Sequence, residues 1–174
     1  DRVVLENFHP LIRPTRFFLL QDTLKKYTLQ KDLKPFVNIE GYYLSDVLMD
    51  LSPAEEKKVI LYSRDGLKQS LTYPLHLQGA VLEKTPEDLY NLKSPQIPGG
   101  MWMKDLVYLQ CDNYALISED SINQLIRLAK ILHWETTPEM QFRIVYKDSE
   151  ELMNFTDALA EPQVFRGALY FEIF

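Results

Sequence analysis

Residues 40–72, EGYYLSDVLMDLSPAEEKKVILYSRDGLKQSLT, hold the densest run of folding signals in this chain. Gly41 lacks a side chain where one would hinder a turn. Leu44 and Ser45 follow as staple residue and N-cap of a two-turn helix whose apolar face is Val47, Leu48 and Leu51. Ser52-Pro53 ends that helix. Residues 59–63 read as a buried strand. Asp65-Gly66 suits a type I′ turn, in which both central residues take positive φ, so residues 68–72 pair back as a hairpin.

The flanking sequence extends the same mixture. Residues 2–8 carry Val3, Val4 and Leu5 as a strand, and Pro10 and Pro14 hold the following connector extended. Residues 17–20 form a buried strand, and 21–27 a short helix with Leu24 and Tyr27 on one face. Residues 31–34 are polar and exposed, whereas 36–39 alternate like a half-buried strand. Residues 83–100 read as a long connection around one helical turn at 86–90, and 102–111 as a further strand. Ser118 caps a helix bearing Ile122, Leu125, Ile126, Ala129 and Leu132. Strand 141–146 follows, then an acidic capping box, Asp148 with Glu151, for a helix carrying Leu152, Phe155 and Leu159. Pro162 breaks that helix and 168–174 close the chain as a strand. With 114–117 as its first strand, this tail is β-α-β-α-β in outline.

A chain of 174 residues buries roughly 70% of its extended surface on folding and needs no metal or disulfide staple. With 12% aromatic residues and only 6 glycines, its interior is expected to be built around Phe and Tyr. Nineteen basic against 25 acidic residues leave a net charge of −6. That sign repels a phosphate backbone, so no nucleic-acid partner is expected. The single cysteine, Cys111, permits neither an internal disulfide nor a cysteine-rich zinc site. No apolar run approaches the roughly 18–20 residues that span a bilayer, so no membrane span is expected within this chain. Asp1 is compatible with a signal, anchor or tag removed upstream.

Gly41-Tyr42-Tyr43-Leu44-Ser45-Asp46-Val47-Leu48, followed by Val59-Ile60-Leu61-Tyr62-Ser63-Arg64-Asp65-Gly66, resembles the sulfite-oxidase-like molybdopterin-binding fold. Residues 19–24, 79–82 and 98–106 match its early strand-helix step, its apolar run after the hairpin and its closing loop and strand. The resemblance covers about residues 15–111. It implies a mixed α+β domain with mainly antiparallel sheet, and in catalytic members a cysteine thiolate on molybdenum just before the glycine-leucine helix. Residues 21–41 contain no cysteine, so the resemblance implies a version without the metal.

The remaining reactive side chains have structural readings. Cys111 ends an apolar strand, the setting of a packed thiol rather than an activated one. His9, His76 and His133 lack metal-ligand spacing. Asp65 is explained by turn chemistry, Glu40 is the other candidate acid or base, and Gly99-Gly100 lacks a phosphate-loop signature. Asn154-Phe155-Thr156 fits a glycosylation sequon within an expected helix. Tyr42, Tyr43, Arg64 and Trp102 form the expected binding surface, amphipathic aromatics with a cation.

The expected fold class is α+β: a mixed, mainly antiparallel sheet with short helices, followed by a C-terminal α-β-α-β unit. The expected units are 1–111 and 112–174, the second packed on the first or separate. The expected function is a non-catalytic binding or protein-interaction domain, with no cofactor and a protein or small-molecule ligand as partner. It would form the soluble part of an exported or membrane-anchored protein. The alternatives are a molybdopterin-dependent oxidoreductase of the sulfite-oxidase-like class and a cysteine-dependent hydrolase or transferase using Cys111.

Overall fold

A computed structural model describes residues 13–134, 137 and 139–174. The expected strand at 2–8 and His9 lie outside them. The fold is α+β, with a mixed, mainly antiparallel sheet and short helices. Strand β1 (Arg16–Leu19) runs straight into helix α1 (Leu20–Leu24). Residues 40–73 supply β3 (Glu40–Tyr43), α2 (Leu44–Leu51), β4 (Lys57–Ser63) and β5 (Lys68–Tyr73). Short β2 (Gln30–Lys31) precedes it; β6 (Val81–Lys84) and β7 (Tyr90–Lys93) follow. The second half holds β8 (Leu106–Cys111), β9 (Tyr114–Ile117), α3 (Leu125–Ile131), β10 (Gln141–Val145), β11 (Glu150–Asn154), α4 (Phe155–Ala160) and β12 (Tyr170–Ile173).

Eight strands form one sheet in the order β11-β10-β12-β1-β9-β8-β4-β5, and four form a second in the order β2-β3-β6-β7. The pairing of β1 with β9 is parallel; β1 with β12 is antiparallel. A strand from residues 16–19 therefore lies between two strands from residues 114–173, and backbone hydrogen bonding runs unbroken across the 111/112 boundary.

Alternation along the large sheet divides the core. One face presents Phe17, Tyr108, Ile117, Phe142 and Phe171 to α3, α4 and the 3-10 segments around them. Phe17 stacks on Phe171 with centroids 4.9 Å apart, and Phe142 stacks on Phe155 at 4.8 Å. The other face presents Val59, Leu61, Leu109 and Leu116 to α1, α2 and the second sheet. Among the described residues that second cover does not extend over β12, β10 and β11. There the sheet carries a row of alternating charge: Arg16 on Glu172 at 3.2 Å, Glu172 on Arg143 at 2.6 Å and Arg143 on Glu150 at 2.7 Å.

Several local expectations are corrected. Gly41 is not a turn residue but sits inside β3, where an added Cβ would lie 2.0 Å from the Leu82 carbonyl oxygen. Ser45 is not the N-cap of α2; the helix starts at Leu44 without a side-chain cap. The 64–66 turn has positive φ at Gly66 but not at Asp65, and the Leu67 carbonyl accepts from Ser63 N at 3.0 Å. This is a three-residue hairpin loop, not a two-residue type I′ turn. Residues 36–39 are turn rather than strand, with Asn38 at φ 59°. The expected helical turn at 86–90 is instead the turn of the β6–β7 hairpin, with Tyr90 already in β7. Residues 150–154 pair with β10 instead of forming helix, so the C-terminal part has one strand more than expected. The helix after them is capped by Asn154, whose Oδ1 accepts from Thr156 N at 2.8 Å and Asp157 N at 3.4 Å. The helix after Ser118 begins as a 3-10 segment, Glu119–Gln124, and only continues as α3. Of its expected apolar face, Ile126 is exposed while Leu128 takes the buried place.

Candidate functional site: a tyrosine and carboxylate notch

Three neighbouring elements shape one notch. Helix α1 ends in a turn, with Tyr27 N on the Leu24 carbonyl at 3.1 Å, and this turn carries Tyr27 outward. β3 supplies Tyr42 and Tyr43, and the first turn of α2 supplies Asp46. Thr28 and Gln30 complete the lining of a hollow of about 170 Å³. The Tyr27 ring meets Tyr42 edge-on with centroids 6.5 Å apart, and Tyr42 tilts against Tyr90 at 6.3 Å. Tyr42 is buried and so holds its place; Tyr43, Tyr27 and Asp46 reach solvent.

Gly41 makes this arrangement possible. Its missing side chain lets β3 lie against β6, with Gly41 opposite Glu83 and Tyr42 opposite Leu82. On α2, Val47, Leu48 and Leu51 are buried, leaving Asp46 and Asp50, one turn apart, on the exposed side. The Tyr27 hydroxyl donates to the Asp50 carboxylate. Burial pushes the Tyr27 phenol up, and Asp50, as hydrogen-bond acceptor and as charge, and Asp46 push it further. The notch is therefore a site of negative potential faced by aromatic rings. Such a surface attracts cations, because the ring quadrupole and the carboxylates act with the same sign.

The other expected surface residues lie elsewhere. Arg64 is held by Asp105 at 2.5 Å and by both carboxylate oxygens of Asp120 at 3.0 and 3.1 Å. Asp105 raises its pKa first, against the lowering effect of burial. Burial opposes ionisation of Asp120, but hydrogen bonds from Ser118 and Arg64 outweigh it and keep its carboxyl below the ordinary value. Arg64 thus ties the β4–β5 loop to the strand entering β8 and to the segment leading into α3. Trp102 packs edge-on against Phe36 at 5.6 Å and donates from Nε1 to the Ser94 carbonyl at 2.9 Å. The structure brings Tyr42 and Tyr43 to one hollow and leaves Arg64 lining another, with Tyr62 and Arg127.

The reactive candidates take structural places. Cys111 is fully buried in the core shared with α2, and burial, then Asp112, pushes its thiol up to about 12. That is the reverse of what a thiolate nucleophile or metal ligand needs, so the donor set does not fit a molybdenum centre. His76 Nδ1 accepts from Thr72 N at 2.9 Å, and His133 ends α3 at φ 62°. Asp65 accepts from the Ser63 hydroxyl and from Leu67 N within its loop. Glu40 opens β3 opposite Lys31. Gly99 and Gly100 form an exposed 3-10 turn. Among the described residues no three His, Cys, Asp or Glu side chains converge as metal ligands, and no helix is long and apolar enough to cross a membrane.

Comparison with protein-family models, curated proteins and solved structures finds no match to this chain.

Tyr27 and Asp46 were not singled out from the sequence. Asp46 and Asp50 at i and i+4, opposite the apolar positions of α2, were a legible signal of an acidic helix face. The approach of Tyr27 was not, because it depends on how α1 packs beside β3.

Proposed function

We propose that this chain is a non-catalytic binding domain that receives a cationic group, an alkylammonium or guanidinium carried by a protein or small molecule, in the notch of Tyr27, Tyr42, Tyr43 and Asp46. The observation that supports this most is that Tyr27, Tyr42, Tyr43 and Asp46 line one hollow of about 170 Å³, with Tyr27 edge-on to Tyr42 and held by the Asp50 carboxylate. A cation over such a ring gains about 0.5–1 kcal/mol at an exposed site, and more where water is displaced. For residues 15–111 the sulfite-oxidase-like resemblance stands as a proposal about scaffold alone.

The test is a titration followed by backbone and aromatic NMR shifts, with tetramethylammonium and a lysine-containing peptide as probes. Saturable shifts confined to Tyr27, Tyr42, Tyr43 and their neighbours are expected, weakened several-fold in Asp46→Asn. A neutral isostere, tert-butyl alcohol, should leave those signals in place. Equal shifts from the neutral probe, or no saturation by the cations, would remove the proposal.

A further inference from the structure

Strand edges invite pairing with another chain, and folded proteins usually blunt them. Among the described residues, three of the four sheet edges are blunted. β5 is closed over by the 99–101 turn, with Gln69 Nε2 on the Met101 carbonyl at 2.6 Å, and Gln69 and Leu71 are buried. β2 is two residues long, and β7 is bridged by Met103, with Leu92 N on its carbonyl at 2.7 Å. β11 differs. Among the described residues β10 alone pairs with it. Glu150, Glu151, Leu152 and Asn154 are exposed, Leu152 at 59%. No proline, lysine or bulge interrupts it.

The outward groups of β11 follow from its inner pairing. Phe155 N donates to the Met140 carbonyl at 3.1 Å and Tyr146 N to the Ser149 carbonyl at 2.8 Å. Hydrogen-bonded pairs alternate along an antiparallel ladder. Residues 149, 151, 153 and 155 therefore bond inward; Glu150 and Leu152 direct N–H and C=O away from the sheet, and Asn154 directs its N–H, its carbonyl starting the bonding of α4. We propose that β11 pairs antiparallel with β11 of a second copy of this chain, on a two-fold axis at Leu152, joining the two large sheets edge to edge.

Charge and hydrogen bonding together select that register. Centred on Leu152, the pairing sets Leu152 against Leu152, Glu151 against Met153 and Glu150 against Asn154. Leu152 then exchanges both bonds with Leu152, and each Asn154 N–H meets the facing Glu150 carbonyl, up to about four hydrogen bonds in all. No carboxylate stands opposite another. A shift that centres the two-fold on Glu151 places Glu151 against itself, which like-charge repulsion disfavours. Glu150 is already neutralised by Arg143 at 2.7 Å. Asn154 spends its Oδ1 on the cap of α4, which leaves its amide nitrogen as donor to the facing Glu150. The same axis carries the exposed Lys147 turn of one copy toward the first turn of the other's α4, where Asp157 is exposed. A single short strand pair buries little surface, which places this dimer in the weak, concentration-dependent class.

The test uses the full chain. Sedimentation from about 10 µM to about 1 mM should show a monomer–dimer equilibrium in the micromolar range. Leu152→Lys, which opposes two cations on the axis, should remain folded and monomeric throughout. Leu152→Cys should form an intermolecular disulfide under mild oxidation, since a hydrogen-bonded antiparallel pair holds its Cα atoms about 5.5 Å apart, within disulfide reach; Glu150→Cys should not. Exchange of the Leu152 and Asn154 amides should slow as concentration rises. A monomer at every concentration, a dimer unaffected by Leu152→Lys, or β11 amides already protected in a monomer would each overturn the proposal, the last by showing the edge covered within one chain.

Discussion

At the residue scale, Gly41 and Cys111 show how surroundings decide what a side chain does. Gly41 reads in sequence as turn chemistry, yet it serves close approach of two strands. A methyl group there would sit 2.0 Å from backbone, the Leu82 oxygen, rather than from a side chain able to swing away. Gly41→Ala should therefore lose roughly 2–3 kcal/mol of stability in urea denaturation. Gly100→Ala, with no atom near its added methyl, should stay within about 0.5 kcal/mol of the parent.

Cys111 carries a pH dependence whose sign follows from its burial. Its thiol is raised from 9.0 to about 12 in the folded protein. Between those values the unfolded chain releases the proton and the folded chain keeps it, so the folded state binds more protons and stability falls as pH rises. The contribution is complete below pH 9 and is lost as pH climbs toward 12. Cys111→Ala should have a shallower alkaline decline than the parent in paired melts, since the buried tyrosines titrate alike in both. Parallel curves would show that the thiol is not raised.

At the scale of elements, helix starts divide into those the side chains make and those the sheet makes. Ser45 has the position and chemistry of a cap, but α2 begins one residue earlier, its first N–H, that of Leu44, held by the Ala80 carbonyl at 3.0 Å. Asn154 does cap, through Oδ1. Asn154→Ala should cost about 1 kcal/mol and Ser45→Ala less than about 0.5, measured by thermal melts at low concentration where β11 is unpaired.

The β11 segment shows why periodicity misleads. Leu152, Phe155 and Leu159 fit one helical face, and Phe155 does lie buried on α4. Leu152 instead faces solvent in a strand, because β10 offers a complete ladder from Gln141 to Val145. Residues 86–90 depart from the local pattern for a similar reason: β6 pairs Lys84 opposite Tyr90 and folds the intervening residues into a turn, with Asp88 at φ 62°. Strand propensity follows the partner surface more than the local residue string. The β4–β5 hairpin, the apolar face of α2 and the strand at 114–117 were legible, because each of those signals is complete within a few residues. Of the notch, Tyr42, Tyr43 and the acidic face of α2 could be read; their meeting with Tyr27 could not.

At the scale of the molecule, β1 joins the two halves of the chain. It lies between β9 and β12, and Phe17 both stacks on Phe171 and meets Trp134 edge-on at 5.7 Å. A fragment ending at Ile117 would keep β1 paired on one side only and expose the face that α3 and α4 cover. It should lack a cooperative thermal transition and the amide dispersion of the full chain; a sharp melt would show that the first half folds alone.

The α+β class, the central hairpin, the buried face of α2, the packed state of Cys111 and an acidic, aromatic-rich composition are all legible in the chain's residues. These follow from periodicity, turn chemistry and residue type over a few neighbouring positions. Tertiary structure alone decided the strand order, the parallel pairing of Phe17 with Ala115, the strand at 150–154 and the convergence of the notch. Each joins residues far apart in the chain, where backbone hydrogen bonds and shared burial outweigh local preference and no short window of sequence records the partner.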